Sequence, residues 1–231
     1  MKRFTLQTIV SIVLSGALLA PVSLLAQQQK APDKTAPSAP SKAAVTPAEI
    51  TAVKSSGVHQ APITIEVFSD YQCPQCRVFF QDTLHQLMDN YVYSGKVYFI
   101  HRDFPLSMHS HSHDAARWAT AAAMVGHDTF AAAETVLYAK QDDWGATGKV
   151  DEALATALSP TDMKKVRQIV ATQGTAIDAA IASDLALGNS RGVNGTPSIY
   201  VLHKGELTPL PPGGVNYSLL KQYLDYLLQQ H

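Results

Sequence analysis

Cysteine is almost missing from this sequence. Its 231 residues include only two cysteines, and both lie in one tetrapeptide, Cys73-Pro74-Gln75-Cys76. Without a second cysteine pair this motif is incomplete as a zinc knuckle, and a disulfide across so short a loop restricts the unfolded chain very little. The shortage of cysteine therefore argues against a disulfide-stabilised scaffold and favours a redox function for the pair.

The sequence also has almost no excess of positive or negative charge. The chain has 18 Lys and Arg against 19 Asp and Glu, a formal net charge of -1. Proteins that bind nucleic acid usually present a clear excess of basic residues to the phosphates. We therefore expect no nucleic-acid partner.

The first 26 residues predict an export signal. Lys2 and Arg3 precede an apolar run from Ile9 to Ala26, which is the order of basic and apolar regions in a secretory signal. We expect cleavage after Ala26. The alternative is an uncleaved N-terminal anchor, because the run is only just short of the roughly 20 residues that span a bilayer. No cysteine directly follows the run, so a lipid-anchored lipoprotein is not expected.

The next segment predicts a flexible tether. Residues 27–46 are rich in Gln, Lys, Ala, Pro and Ser and contain no aromatic residue, so they cannot bury enough apolar surface to become ordered. The remaining chain, 47–231, is one domain's worth of sequence and is long enough to enclose a core.

The first half of this domain predicts a βαβ unit. Ile63 to Ser69 is a continuous apolar strand candidate that ends just before the cysteines, and helical periodicity follows from Arg77 to about Tyr93. Val97 to Ile100 is a second strand candidate. The crossover between two such strands is expected to be right-handed.

The second half predicts a helical insertion followed by a ββα unit. Residues 107–190 are Ala-rich and nearly free of strand signals, which favours four or five helices. Ser198 to His203 returns to strand character, Lys204-Gly205 predicts a hairpin turn, and Leu207 to Leu210 is a possible second arm. An amphipathic helix over Asn216 to Gln230 closes the chain. Its expected inner face is Leu219, Leu220, Tyr223, Leu224 and Leu227.

This order of elements, with C-x-x-C at the first strand-to-helix junction, is the thioredoxin-like α/β arrangement. Three segments are similar to the DsbA family of periplasmic thiol-disulfide oxidoreductases, in its DsbA/DsbG/BdbD-like branch: 68–76, 102–106 and 192–198. They occur in the family's order, and the similarity covers about residues 60–229. The resemblance implies a thioredoxin-like fold with a helical insertion between its βαβ and ββα halves, and a periplasmic enzyme.

Elementary chemistry predicts different functions for the two cysteines. A free thiol with a pKa near 8.5 is only about 3% thiolate at pH 7, and the thiolate is the form that attacks disulfides. Cys73 is expected at a helix N-terminus, where unpaired N–H groups and the helix dipole favour an anion. Pro74 suits the first helical turn because it has no N–H to lose. We therefore expect Cys73 to be the nucleophile and Cys76, one turn further in, to be the resolving thiol, with Pro74 and Gln75 as the dipeptide between them.

The resemblance also implies a substrate-binding loop at Thr196-Pro197. In the family this loop carries a cis-proline beside the C-x-x-C, and the backbone before the proline pairs with an extended substrate segment, a form of β-strand addition. Main-chain pairing reads no particular side chain, so a broad substrate range is expected. The alternative is an ordinary turn that closes the helical insertion.

One position departs from the family. Its members often carry a buried acid six positions before the first cysteine, and here that position is Val67, with Glu66 one place off. Side chains alternate along a strand, so Glu66 is expected to face the other side. The proton relay is then absent, supplied by water, or taken by another group. Glu66 and His101 are its candidates.

Three functions remain open at this point. The first is an oxidase that gives its disulfide to exported proteins with free thiols and is reoxidised by a membrane partner of the DsbB or vitamin K epoxide reductase-like type. The second is a reductase or isomerase of the same compartment. A monomeric oxidase is the simpler hypothesis, since isomerases of this group usually have an N-terminal assembly region. Neither function needs a cofactor beyond the redox disulfide.

The third is a binding module without catalysis. It is a metal-handling protein or a holdase that uses an apolar surface around Phe68, Tyr71 and Phe104. His109, His111 and His113 alternate in a way that suits metal ligands, although a solvated loop before an Ala-rich helix is the simpler explanation.

Overall fold

The computed structural model describes residues 45–230. The predicted signal or anchor at 1–26 and nearly all of the predicted tether lie outside these residues. Within residues 45–230, no helix is both long and apolar enough to cross a membrane.

The described chain begins with two elements that the sequence analysis did not assign. Helix α1 is Pro47–Val53, and strand β1 is Ser55–Ser56. Thr46, the last residue of the predicted tether, caps α1: its side chain accepts from the backbone N–H of Glu49, while the Glu49 carboxylate accepts from the backbone N–H of Thr46. This reciprocal cap satisfies two of the free N–H groups at the helix start. So short a helix and strand leave too little periodicity to be recognised from sequence.

The predicted βαβ unit is present. Strand β2 is Ile63–Ser69 and strand β3 is Val97–Asp103, three residues longer than predicted. They pair in parallel with Ile63 opposite Val97 and Ser69 opposite Asp103. The long helix between them, α2, begins as Pro74–Val78. It continues through a π-helical stretch Phe79–Leu84, an α-helical turn His85–Leu87 and a second π-helical stretch Met88–Val92.

The helical insertion contains six helices within residues 107–190, all of which the structure describes, instead of the predicted four or five. They are α3 Ser112–Val125, α4 His127–Ala139, α5 Gln141–Thr147, α6 Val150–Leu154, α7 Pro160–Thr172 and α8 Gly174–Ser190. The predicted number of helices was too low because α5 and α6 are too short to be recognised as separate helices from their apolar periodicity. Gly148 divides them in a left-handed conformation, at φ 73°.

The C-terminal unit follows the prediction closely. Strand β4 is Ser198–His203, strand β5 is Glu206–Pro209, and helix α9 is Tyr217–Gln229. The five strands lie in the order β1-β3-β2-β4-β5, so β2 is central, and it pairs antiparallel with β4. This is the thioredoxin-like fold, with the helical insertion between its two halves.

One inward position of the last helix was predicted wrongly. Leu220, Leu224 and Leu227 are buried, but Leu219 is 56% exposed. Its backbone N–H is used at the helix start, where it donates to the Asn216 side chain. Residues i, i+4 and i+7 share a helix face, and Leu219 lies about 100° from Leu220.

Candidate active site

The two cysteines lie where the central strand meets the long helix. Cys73 is the N-cap of α2 and Pro74 is its first residue. The Cys73 backbone N–H donates to the Asp70 carbonyl at 3.1 Å, and its carbonyl accepts from the Arg77 N–H at 3.2 Å. Cys73 retains 6% of its exposure and Cys76 none, while Pro74 and Gln75 are exposed. The helix therefore presents one sulfur near the surface and buries the other.

This position makes the two thiols unequal. The pKa of Cys73 is lowered to about 5, chiefly by a hydrogen bond from the Cys76 thiol. The Thr196 hydroxyl and the backbone N–H groups of Cys76 and Gln75 contribute as well, and together these donors outweigh burial. Burial raises the pKa of Cys76 well above its ordinary value, and the neighbouring Cys73 raises it further. At neutral pH Cys73 is a thiolate and Cys76 a thiol.

The Thr196-Pro197 loop lies directly against Cys73. The peptide bond between them is cis, and the Thr196 carbonyl oxygen is 3.3 Å from the Cys73 sulfur. The Thr196 hydroxyl is buried and forms no hydrogen bond within residues 45–230, so it is available to the Cys73 thiolate. Gly214 packs against the other side of this peptide, where a Cβ would lie 3.1 Å from the Pro197 ring. The loop and the cysteines thus form one site, although β4 and α2 are far apart in sequence.

The helical insertion holds the loop that precedes Cys73. Gln141 donates from its side-chain amide to the Tyr71 and Cys73 carbonyls, at 2.7 and 2.9 Å. Gln72 donates to the Gly145 carbonyl at 3.0 Å. Gln141 was not predicted as a site residue, because a lone glutamine in a helical segment carries no local signal of a contact with residues so distant in the chain.

Asp70 was missed for a similar reason, although it lies in the Phe68–Cys76 segment itself. Its carboxylate accepts from the backbone N–H groups of Gln72 and Leu106, each at 2.8 Å. It also contacts His109 Nδ1 at 2.8 Å. His109 therefore fixes the active-site loop.

No group of three or more potential metal-ligating side chains lies together within residues 45–230. His111 packs where its ring would collide with a Cβ on Gly148. His113 is exposed in the first turn of α3. His109 and His111 thus belong to the loop before α3, and His113 belongs to the first turn of that helix.

The two candidate relay residues lie on different sides of the sheet. Glu66 contacts Arg102 at 2.7 Å and also Arg191, in a cluster that includes Asp184. The next side chain, Val67, instead lines the cavity beneath Cys76. Glu66 was therefore a wrong candidate, because strand alternation directs it away from the thiols.

His101 does lie on the inner side of the site. It lines the same cavity as Cys76 and is only 2% exposed. Burial opposes its positive charge, but the carboxylates of Glu134 and Asp103 outweigh burial and raise the pKa of His101 to about 9. Glu134 had not been recognised from sequence, since it lies in the Ala-rich insertion without a motif.

The three aromatic side chains suggested for a holdase surface are buried. Phe68, Tyr71 and Phe104 are at most 5% exposed. Phe68 packs edge-to-face on Phe104 and Tyr200, at 6.0 and 5.7 Å between ring centroids. Tyr71 stacks on His101 at 5.4 Å. These aromatics belong to the core, because β2 is covered on both faces.

Comparison with known proteins agrees with this geometry. The family model described as thioredoxin (Thioredoxin_4) matches residues 51–210, which contain the cysteines and the cis-proline loop. The chain belongs to the thioredoxin family. Among curated protein sequences, none matches it.

Several solved structures resemble this thioredoxin-family chain. Oxidised BdbD from Bacillus subtilis is 23% identical with a TM-score of 0.64, covering 78% of this chain and 95% of its own. The α-DsbA1 protein from Wolbachia pipientis is 19% identical with a TM-score of 0.59, covering 75% and 89%. A thioredoxin-like oxidoreductase from Silicibacter pomeroyi DSS-3 is 26% identical with a TM-score of 0.60, covering 77% and 92%. The thioredoxin-family chain therefore has the fold of DsbA- and BdbD-like thiol-disulfide oxidoreductases.

Proposed function

We propose that this protein is a periplasmic thiol-disulfide oxidoreductase that introduces disulfides into exported proteins. The observation that carries the proposal is the inequality of the two thiols. Cys73 is a stabilised thiolate at the start of α2, with a pKa of about 5, while Cys76 is fully buried with a raised pKa. A thiolate that is stable at neutral pH is a good leaving group, and stabilising the reduced form makes the disulfide a stronger oxidant.

The reaction follows from this geometry as two exchanges. A thiolate of the substrate attacks the Cys73 sulfur of the disulfide, so a bond forms between them and the Cys73–Cys76 bond breaks, leaving its electron pair on Cys76. A second substrate thiolate then attacks the substrate sulfur of this mixed disulfide. The substrate disulfide forms, and Cys73 leaves as the thiolate that the helix N-terminus stabilises. A membrane partner of the DsbB or vitamin K epoxide reductase-like type reoxidises the pair.

The Thr196-Pro197 loop provides the substrate-binding edge. Its backbone lies beside the Cys73 sulfur, where an extended segment that pairs with Thr196 would bring a substrate cysteine to the nucleophile. Because such pairing uses the main chain, the enzyme would accept unrelated substrates. The proposed enzyme acts as a monomer, and its redox group is the cysteine pair.

The equilibrium reduction potential tests this function. The reduced protein is equilibrated in glutathione buffers, and the fractions of dithiol and disulfide are measured by mass after acid quenching. We expect a potential well above the roughly -240 mV of glutathione pools. A potential well below that value would contradict an oxidase and identify a periplasmic reductant.

A second measurement separates the enzyme from a binding module. The oxidised protein is mixed with a reduced, unfolded protein that regains activity only when its disulfides form. We expect wild-type protein to restore that activity and Cys73→Ser to be inactive. Equal recovery with Cys73→Ser would mean that the site only binds unfolded chains.

A further inference from the structure

A buried carboxylate from the helical insertion lies on the inner side of the cysteine pair. Glu134, in α4, retains only 7% of its exposure. It lines a small cavity of about 10 Å³ together with Cys76, and that volume is close to the smallest that accommodates one water molecule. Cys76 and Glu134 therefore share the lining of one cavity, and a single water molecule there would connect the thiol to the carboxylate.

His101 explains why the Glu134 carboxylate is stable in a buried position. Its Nδ1 lies 2.8 Å from Oε1 of Glu134, and its Nε2 lies 3.2 Å from Oδ1 of Asp103 and 3.2 Å from the Tyr71 hydroxyl. Asp103 is paired in turn with Lys54. A buried carboxylate is costly unless a cation compensates it. Among residues 45–230, His101 is the only cation within ion-pair distance of Glu134.

Thiol-disulfide exchange needs a proton-transfer group at Cys76. Burial raises the pKa of Cys76, so this thiol must lose a proton to become a nucleophile and must regain one when it is the leaving group. Cys76 has no exposed surface, so bulk water cannot exchange that proton directly. Cys73 does not share this need, because it is already a thiolate at neutral pH.

The other carboxyl and hydroxyl groups near Cys76 already have hydrogen-bond partners. Ser69 and Tyr138 line the cavity and hydrogen-bond to each other at 2.7 Å, but burial raises the pKa of Tyr138 well above its ordinary value. Asp70 already accepts from two backbone N–H groups and contacts His109. Val67 occupies the strand position where an acid would face the thiol. Glu134 is therefore the one carboxylate of the described chain that lines the cavity.

We propose that Glu134 exchanges the proton of Cys76, with His101 as the residue that positions it. This inference deepens the proposed function and rests on it. When a mixed disulfide on Cys73 is resolved, Glu134 accepts the Sγ proton of Cys76 as the sulfur attacks Cys73. The Cys76–Cys73 bond forms, the bond from Cys73 to the partner sulfur breaks, and the electron pair leaves with the partner thiolate. In the reverse direction Glu134 returns the proton to Cys76.

The rate of this ring closure is the test. The mixed disulfide of Cys73 with glutathione is prepared at acidic pH, the solution is brought to pH 7, and release of glutathione is followed by quenching and mass measurement. We expect Glu134→Gln to close about 10- to 100-fold more slowly than wild type, because a general base contributes at least this much. In that variant the rate should rise about tenfold per pH unit, as attack assisted by hydroxide requires.

A second readout distinguishes proton transfer from a structural effect. The first step, attack of Cys73 on glutathione disulfide, should stay within about twofold of wild type in Glu134→Gln, since a general-base effect applies only to the step that moves the proton. The matched control is Glu66→Gln, which removes a buried glutamate charge from its arginine partners on the other face of the sheet. It should close at the wild-type rate.

Closure by Glu134→Gln within about twofold of wild type would overturn the proposal, because removing a general base costs more than that. If circular dichroism shows that this variant does not fold, Glu134→Asp replaces it. That substitution keeps the charge opposite His101 and withdraws the carboxylate by one methylene, so slow closure supports the proposal and wild-type closure overturns it. Closure is measured with glutathione, so this result is independent of whether the protein oxidises exported substrates. Failure of the proposed function would appear instead as a low reduction potential.

Discussion

The titration of Cys73 is the most direct test of how the fold activates the site. The pKa of this thiol is about 5, against about 8.5 for a free cysteine. At pH 7 about 99% of Cys73 is then thiolate, compared with about 3% of a free thiol. The reactive fraction is therefore about 30 times larger than for an ordinary cysteine.

Replacing Cys76 tests how much of the lowering of the Cys73 pKa depends on the Cys76 thiol. The thiol of Cys76 is the largest favourable contribution to the Cys73 thiolate, and a hydrogen bond to a charged group is worth about 1.5–3 kcal/mol. Cys76→Ala should therefore raise the pKa of Cys73 by about one to two pH units. The pKa should stay below about 8.5, because the backbone N–H groups at the start of α2 remain.

The assay is the rate of iodoacetamide alkylation of the reduced protein between acidic and alkaline pH, with the modified residue identified by peptide mass. The rate should reach half of its plateau near pH 5 in the wild type. Val78→Ala is the matched control, since Val78 lies in the first part of α2 and is 47% exposed. It should titrate like wild type. A wild-type midpoint within about one unit of 8.5 would refute the argument that the helix start and the Cys76 thiol activate Cys73.

Three further outcomes follow from neighbouring groups. Thr196→Val removes the hydroxyl that helps to lower the pKa of Cys73, so the pH midpoint of alkylation should rise by up to about one unit. An unchanged midpoint would mean that this hydroxyl does not stabilise the Cys73 thiolate. Glu134 and Asp103 raise the pKa of His101 to about 9 against the effect of burial. The folded protein therefore binds a proton on His101 more tightly than the unfolded chain does, and the free energy of unfolding should fall by about 3 kcal/mol as pH rises from about 6.5 to 9. This must be measured by urea unfolding with both cysteines replaced by Ala, because Cys73 titrates with the opposite sign, and a flat profile would contradict the buried imidazolium. Lys54→Met leaves the buried Asp103 without its lysine, so it should cost about 3–5 kcal/mol in the same assay, whereas the double replacement with Asp103→Leu should recover much of that loss.

Several elements could be predicted because their signals are local. Strand β2 was predicted to the residue, since Ile63–Ser69 is a continuous apolar run. Lys204 and Gly205 form the predicted hairpin turn, and both have positive φ, at 50° and 83°. The tetrapeptide Cys73–Cys76 was expected at the start of a helix, and Cys73 is the N-cap of α2.

Other features depended on contacts that no local pattern encodes. Gln141 holds the Cys73 carbonyl from a helix that lies 68 residues further along the chain. Glu134 reaches the Cys76 cavity from the insertion, where it looks like any glutamate of an Ala-rich helix. The binding-module hypothesis required Phe68 and Tyr71 at a surface, but tertiary packing buries both side chains.

The sequence by itself thus determined the order of elements and the place of the cysteine pair at the start of a helix, because both follow from residues adjacent in the chain. Only the tertiary structure decided which carboxylate lies beneath that pair. The strand position next to Cys76 is Val67, and the charge at the cavity comes instead from Glu134, held by His101 of another strand. Long-range packing sets such a juxtaposition, since a buried acid is stable only where a distant cation compensates it.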